Sequence, residues 1–176
     1  SAGFSERFGS RFDSETIPRL TDMFEYLGKN RYIQVEVKTE SINEVGINKV
    51  LEALLGDLKS CPNPERMIII SFHKQFLKEL KALKPRLKCG FLIDSFPEGT
   101  SAASTIQQYW EELKCEFLIY NKDLIMNAQI KEIFKPHPSV LVGAYTSDDH
   151  GEIEELFEYG IDAIATNRFS DLKNMF

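Results

Sequence analysis

Six short apolar runs, each rich in β-branched residues, alternate with longer amphipathic stretches along the 176-residue chain. The runs occupy residues 32–37, 67–72, 89–93, 116–120, 139–145 and 161–166. Each has roughly the 5–7 residues usual for a strand. The stretches between them repeat apolar residues at helical spacing. Residues 17–27 place Leu20, Met23, Phe24 and Leu27 at i, i+3, i+4 and i+7, one stripe of a helix. Residues 43–58 carry Val45, Ile47, Val50, Leu51, Leu54 and Leu55, and residues 74–83 carry Phe76, Leu77, Leu80 and Leu83. Residues 104–113 carry Ile106, Tyr109, Trp110 and Leu113. Residues 123–134 carry Leu124, Ile125, Ala128, Ile130 and Ile133. Residues 149–159 carry Ile153, Leu156 and Phe157, with Gly160 placed to stop the helix.

Strands that alternate with helices pair in parallel through βα units. Both a doubly wound sheet and a (β/α)8 TIM barrel start from this pattern. Two features favour the barrel. The strand ends are polar: Glu36 and Lys38, Ser71 and His73, Asp94, Asn121, Ser147 and Asp148, Asn167 and Arg168. Barrel enzymes build their sites from that ring. Gln34, Glu36 and Lys38 also share one face of the first run, because side chains alternate with period two. Ile33, Val35 and Val37 take the other face, toward the helices. A central strand of an open sheet reads apolar on both faces instead. The expected architecture is α/β, a single domain over residues 1–176 with six βα units visible. That count falls short of the eight strands and ~250 residues of a typical barrel.

Composition excludes several function classes. No apolar run approaches the ~18 residues of a membrane span. The net charge of −6 argues against a nucleic-acid binder, which carries a basic patch or stripe. Cys61, Cys89 and Cys115 are odd in number with no CxxC spacing, so reduced thiols are expected, pointing to the cytosol. Ser1-Ala2-Gly3-Phe4 has neither the charged nor the apolar region of a signal peptide. Neither Gly-rich phosphate loop occurs, which argues against nucleotide binding by those routes, and no GxSxG nucleophile elbow is present.

The segment from Ile33 to Lys38 carries the strongest chemical signal. A carboxylate and an ammonium on one inward face are costly to bury without partners. A cation on Glu36 and a phosphate oxygen on Lys38 would satisfy both; a Glu–Lys pair at a solvated strand end is the plainer alternative. His73 closes the second run and could act as acid or base, but capping the next helix is the simpler role. Asp148, Asp149 and His150 look like metal ligands, yet a helix N-cap at Ser147 or Asp148 accounts for them more simply. His137 lies in a Pro-His-Pro loop without a charged partner nearby in sequence. Asn167 and Arg168 could hold phosphate in a barrel of another kind.

Several of these passages resemble one family. Ile17-Pro18-Arg19-Leu20, followed by Gln34-Val35-Glu36-Val37-Lys38, resembles the "IPTL … IEIK" passage of glycerophosphodiester phosphodiesterases. Residues 69–72 are similar to the family's "ISF" strand, residues 142–148 to its "VWTVND" strand and residues 160–167 to its "GVDGIITD" strand. The resemblance implies a TIM barrel that hydrolyses glycerophosphodiesters to an alcohol and glycerol phosphate in phospholipid metabolism. It implies a divalent cation, Mg2+ or Ca2+, and a pair of histidines as acid and base. By position, a metal-binding carboxylate falls on Glu36, the phosphate-contacting lysine on Lys38 and the pocket aromatic on Tyr145.

The departures are as informative. The family's "HRG" strand, its "EN" and its "ExD" with a second His have no counterpart here. The barrel is therefore expected to be incomplete at its N-terminus, and no catalytic residue is identified in this chain. His73, His137 and His150 do not lie at the family's catalytic positions. On this reading the chain alone is inactive: its N-terminal portion is supplied elsewhere, is disordered, has been removed or lies outside this sequence, or self-association covers the open barrel edges. The alternative function is a catalytically inactive barrel that serves as a binding or assembly module.

Overall fold

The six apolar runs pair side by side in chain order. In the computed structural model, which describes residues 16–27, 31–126 and 135–172, the strands are β1 (Ile33–Glu36), β2 (Met67–Ser71), β3 (Lys88–Ile93), β4 (Phe117–Asn121), β5 (Leu141–Tyr145) and β6 (Ala163–Ile164). The sheet order is β1-β2-β3-β4-β5-β6, and every pairing is parallel. A doubly wound sheet reverses its strand order at a switch point; this sheet does not. Crossovers of one hand, stepping always to the next strand, stack every helix on the same side. The sheet curls toward its other side, giving a six-stranded arc of a TIM barrel.

The helices are α1 (Leu20–Leu27), α2 (Thr39–Val45), α3 (Ile47–Leu58), α4 (Lys74–Leu83), α5 (Ala102–Leu113), α6 (Lys122–Met126), α7 (His150–Glu158) and α8 (Phe169–Leu172). The expected helix over 43–58 is two helices. Gly46 separates them at φ +89°, a conformation glycine adopts without steric cost, and its N–H closes α2 on the Ile42 carbonyl at 2.8 Å. The break shifts the helical phase, so Ile42 is buried while Val45 is 45% exposed. Gly160, at φ +92°, follows α7 as expected. The later part of the helix expected over 123–134, with Ala128, Ile130 and Ile133, lies outside the described residues, as do Ser1-Ala2-Gly3-Phe4 and the Leu27 side chain.

Strand alternation divides the apolar residues into two clusters. Ile69, Phe91, Leu118, Tyr120 and Val142 face the helices and pack with Phe76, Leu77, Leu80, Ile106 and Leu156. Ile68, Ile70, Leu92 and Ile119 fill the concave side. Burying one such side chain contributes about 1.5–3 kcal/mol. Curling requires small residues between large ones on the concave face. A Cβ on Gly90 would lie 2.9 Å from Ile70 Cγ2 and 3.1 Å from Ile119 Cδ1.

An ion pair latches the amino-terminal end of the arc. Lys81 of α4 donates to the Pro85 and Leu87 carbonyls and to Glu116 Oε1, the last at 2.6 Å. Glu116 Oε2 accepts the Cys89 N–H at 2.8 Å. The three cysteines are free, as expected, and burial pushes the Cys89 thiol up to about 12. Among the described residues no helix is long and apolar enough to cross a membrane.

Candidate functional site

The polar strand ends converge on the carboxyl side of the arc. On β1 and just beyond it, Ile33, Val35 and Val37 pack toward the helices, while Glu36 turns to the concave side as the alternation predicts. Lys38 places its Nζ 2.8 Å from Glu36 Oε2. The Glu36 side chain is 28% exposed and that of Lys38 62%, so the open mouth spares both most of the expected desolvation cost. Ser71 pins this strand end. Fully buried, its hydroxyl donates to the Val37 carbonyl at 2.7 Å and accepts the His73 N–H at 3.1 Å. The sequence signal for it, one Ser ending an apolar run, was visible but carried no assigned role.

Two strands on, Asp94 follows β3. Its Oδ1 accepts Asn121 Nδ2 at 2.8 Å and lies 3.3 Å from the Tyr145 hydroxyl. Tyr145 also stands edge-on to Phe72, with ring centroids 6.0 Å apart. Burial, then the Asp94 carboxylate, and last the charge of Glu36 push the Tyr145 phenol well above its usual range. Tyr145 is thus a neutral donor that feels both carboxylates. Glu36 and Lys38, from one sequence passage, and Tyr145, from another, share one mouth.

Matching the chain against models of known families gives one assignment, covering residues 3–170: the glycerophosphoryl diester phosphodiesterase family. The chain belongs to that family. A glycerophosphodiester phosphodiesterase of Caldanaerobacter subterraneus subsp. tengcongensis is 26% identical over 171 residues, which are 96% of this chain and 65% of that protein. Several solved structures share the fold. The phosphodiesterase of Oleispira antarctica, in complex with the product sn-glycerol-3-phosphate, superposes with a TM-score of 0.69 at 22% identity, over 94% of this chain and 64% of that one. The glycerophosphodiester phosphodiesterase of Thermotoga maritima gives 0.67 at 16% identity, over 95% and 67%. The chain thus spans slightly less than two thirds of its curated relative.

The remaining candidates in this phosphodiesterase-family chain have structural roles. His73 caps α4, its Nδ1 accepting the Phe76 N–H at 3.2 Å. His137 stacks on Trp110 with ring centroids 5.3 Å apart. His150 opens α7 on the surface. The cap of α7 is Asp149, not Ser147 or Asp148. Asp148 instead ties the β5 end to the β6 end: Oδ1 accepts the Asn167 N–H at 2.7 Å and Oδ2 its Nδ2 at 3.0 Å. These bonds hold the Asp148 carboxyl below the usual range. Asn167 is therefore engaged within the fold, and Arg168 pairs with Asp171 at 3.0 Å.

The donor set around Glu36 does not complete a cation site. Among the described residues, no three His, Cys, Asp or Glu side chains are grouped so as to hold one ion. Mg2+ wants about six oxygen ligands and Ca2+ about 6–8.

Proposed function

We propose that this mouth binds glycerophosphodiesters and that the protein hydrolyses them to an alcohol and glycerol phosphate, as a step of phospholipid turnover. The observation that carries the reading is the placement of Lys38 beside Glu36 on the concave face, in the same mouth as Tyr145. Lys38 offers an ammonium to a phosphate oxygen, an interaction that strengthens as charge develops there. Tyr145 lines the pocket with its ring and offers a neutral O–H. In this reading Glu36 would supply one oxygen ligand to a Mg2+ or Ca2+ ion. Family membership and the activity named for the Caldanaerobacter relative support the substrate class.

The test is release of glycerol 3-phosphate from glycerophosphocholine by the purified full-length protein with Mg2+ or Ca2+, alongside calorimetric titration of each metal. Turnover, together with metal binding that Glu36→Gln abolishes, is the expected result. A well-folded protein that neither turns over the diester nor binds it overturns the reading. Binding without turnover favours an inactive binding module. The same reading includes self-association. Among the described residues β1 and β6 each pair on one side only, and sedimentation measures whether copies cover those edges.

A further inference from the structure

We propose that Asp94 is a substrate-binding residue, whose carboxylate accepts hydrogen bonds from the vicinal hydroxyl pair of the glyceryl moiety. The inference rests on the function proposed above and adds the group that reads the alcohol part of the ligand.

Sheet register makes the case first. Ile93 pairs with Tyr120 and Asn121 pairs with Tyr145. One residue beyond Ile93, Asp94 comes abreast of Asn121. Three successive strands thus present Asp94, Asn121 and Tyr145 in one row, directly above the concave-face residues Leu92, Ile119 and Gly143.

Hydrogen bonding makes it second. Asn121 Oδ1 accepts the Asp123 N–H at 3.0 Å and its Nδ2 donates to Asp94 Oδ1 at 2.8 Å, so both ends of the amide are used and its orientation is determined. The Tyr145 hydroxyl reaches the same Oδ1 at 3.3 Å and the Ile93 carbonyl at 3.4 Å. Both side-chain donors go to one oxygen. Among the described residues no hydrogen-bond donor or ion-pair partner is found for Oδ2. An ionised carboxylate only accepts, so the complementary ligand group is a donor.

The surroundings decide which donor. Phe72, 38% exposed, stands edge-on to the Tyr145 ring, whose hydroxyl reaches the carboxylate, and the two rings form an apolar wall. A diol offers O–H groups to the acid and a C–H face to the aromatic wall. Its phosphate falls toward Lys38, the ammonium paired with Glu36 at the mouth of the same concave face.

The test is calorimetric titration of the full chain with glycerol 3-phosphate, ethyl phosphate and phosphoethanolamine. The wild type is expected to bind glycerol 3-phosphate about tenfold tighter than ethyl phosphate, the scale of a hydrogen bond to a charged group. Asp94→Asn, which keeps the shape and an acceptor for Asn121, is expected to erase that preference and leave ethyl phosphate binding unchanged. Asp94 is exposed, and an unchanged melting temperature verifies the fold. Equal affinity for the two phosphates in the wild type, or an unaltered preference in Asp94→Asn, overturns the inference. So does equal weakening of both ligands by the variant, or tightest binding of phosphoethanolamine. Failure of the wild type to bind any of the three overturns the phosphate reading of the mouth as well, a pattern distinct from loss of the diol preference alone.

Discussion

Lys38 Nζ lies 2.8 Å from Glu36 Oε2, two residues back along the same strand face. Lys38 is open to solvent while Glu36 is half-buried, and contacts with one exposed partner contribute about 0–1 kcal/mol. Its value is the position of the two charges. Lys38→Met is therefore expected to shift the urea midpoint by the equivalent of less than about 1 kcal/mol. It should lower kcat/KM for glycerophosphocholine by about 100-fold or more, the scale of one lost electrostatic contact to a developing oxyanion. Equilibrium unfolding and steady-state kinetics on the same preparation check both halves.

Gly90 is where the arc bends around its own side chains. A methyl there meets Ile70 Cγ2 at 2.9 Å and Phe117 Cβ at 3.2 Å. The Ile70 methyl can shift, but Phe117 Cβ is fixed to the backbone. Overpacking costs about 1–3 kcal/mol, more than the 0.4–1 kcal/mol that Gly→Ala gains by restricting the unfolded chain. Gly90→Ala should therefore lower the melting temperature. Adding Ile119→Val, which removes the Cδ1 methyl that lies 3.1 Å from the new Cβ, should recover part of the loss, a coupling that a double-mutant cycle reads.

Lys81 is 13% exposed and holds Glu116 at 2.6 Å together with two carbonyls. Lys81→Met keeps the packing of the stem but strands three acceptors. Leaving a half-buried partner unpaired costs about 1–3 kcal/mol. The companion Glu116→Gln should cost less, because the amide oxygen can still accept from Cys89. Urea unfolding of the two variants distinguishes them.

Acid should loosen the β5–α7 junction. Glu152 accepts Lys122 Nζ at 2.6 Å and the Ser147 hydroxyl at 2.7 Å. Its carboxyl is held below the ordinary 4.5, first by the Lys122 hydrogen bond and then by Ser147. A depressed carboxyl contributes its full stability above 4.5 and loses it as pH falls through the lower folded value. Lys122 is raised above 10.5, chiefly by the same bond, so its share is complete below 10.5 and lost as pH rises through the higher folded value. Glu152→Gln should flatten the stability profile at both ends, measured as urea midpoints across the pH range.

Much of this architecture is local in origin. Alternation with period two put Glu36 and Lys38 opposite Ile33, Val35 and Val37, and helical spacing located Lys74–Leu83 to the residue. The split at Gly46 escaped because apolar spacing continues across it; only its positive φ breaks the phase. His73 as a cap was anticipated, since a polar residue between strand and helix has that role by default.

The row formed by Asp94, Asn121 and Tyr145 was not legible in advance. Each of the three is an ordinary polar or aromatic residue ending a strand. Asn121 is 27 residues from Asp94, and Tyr145 is 51. Periodicity tells which face of its own strand a residue takes, because that depends only on backbone geometry. It does not tell which residue on the next strand stands beside it. Register across crossovers is chosen by how Gly90, Ile70 and Ile119 fill the concave side and how the helices seat on the other. The sequence alone therefore determined the order and kind of the elements and the inward face of β1, while only tertiary packing decided which distant strand ends meet.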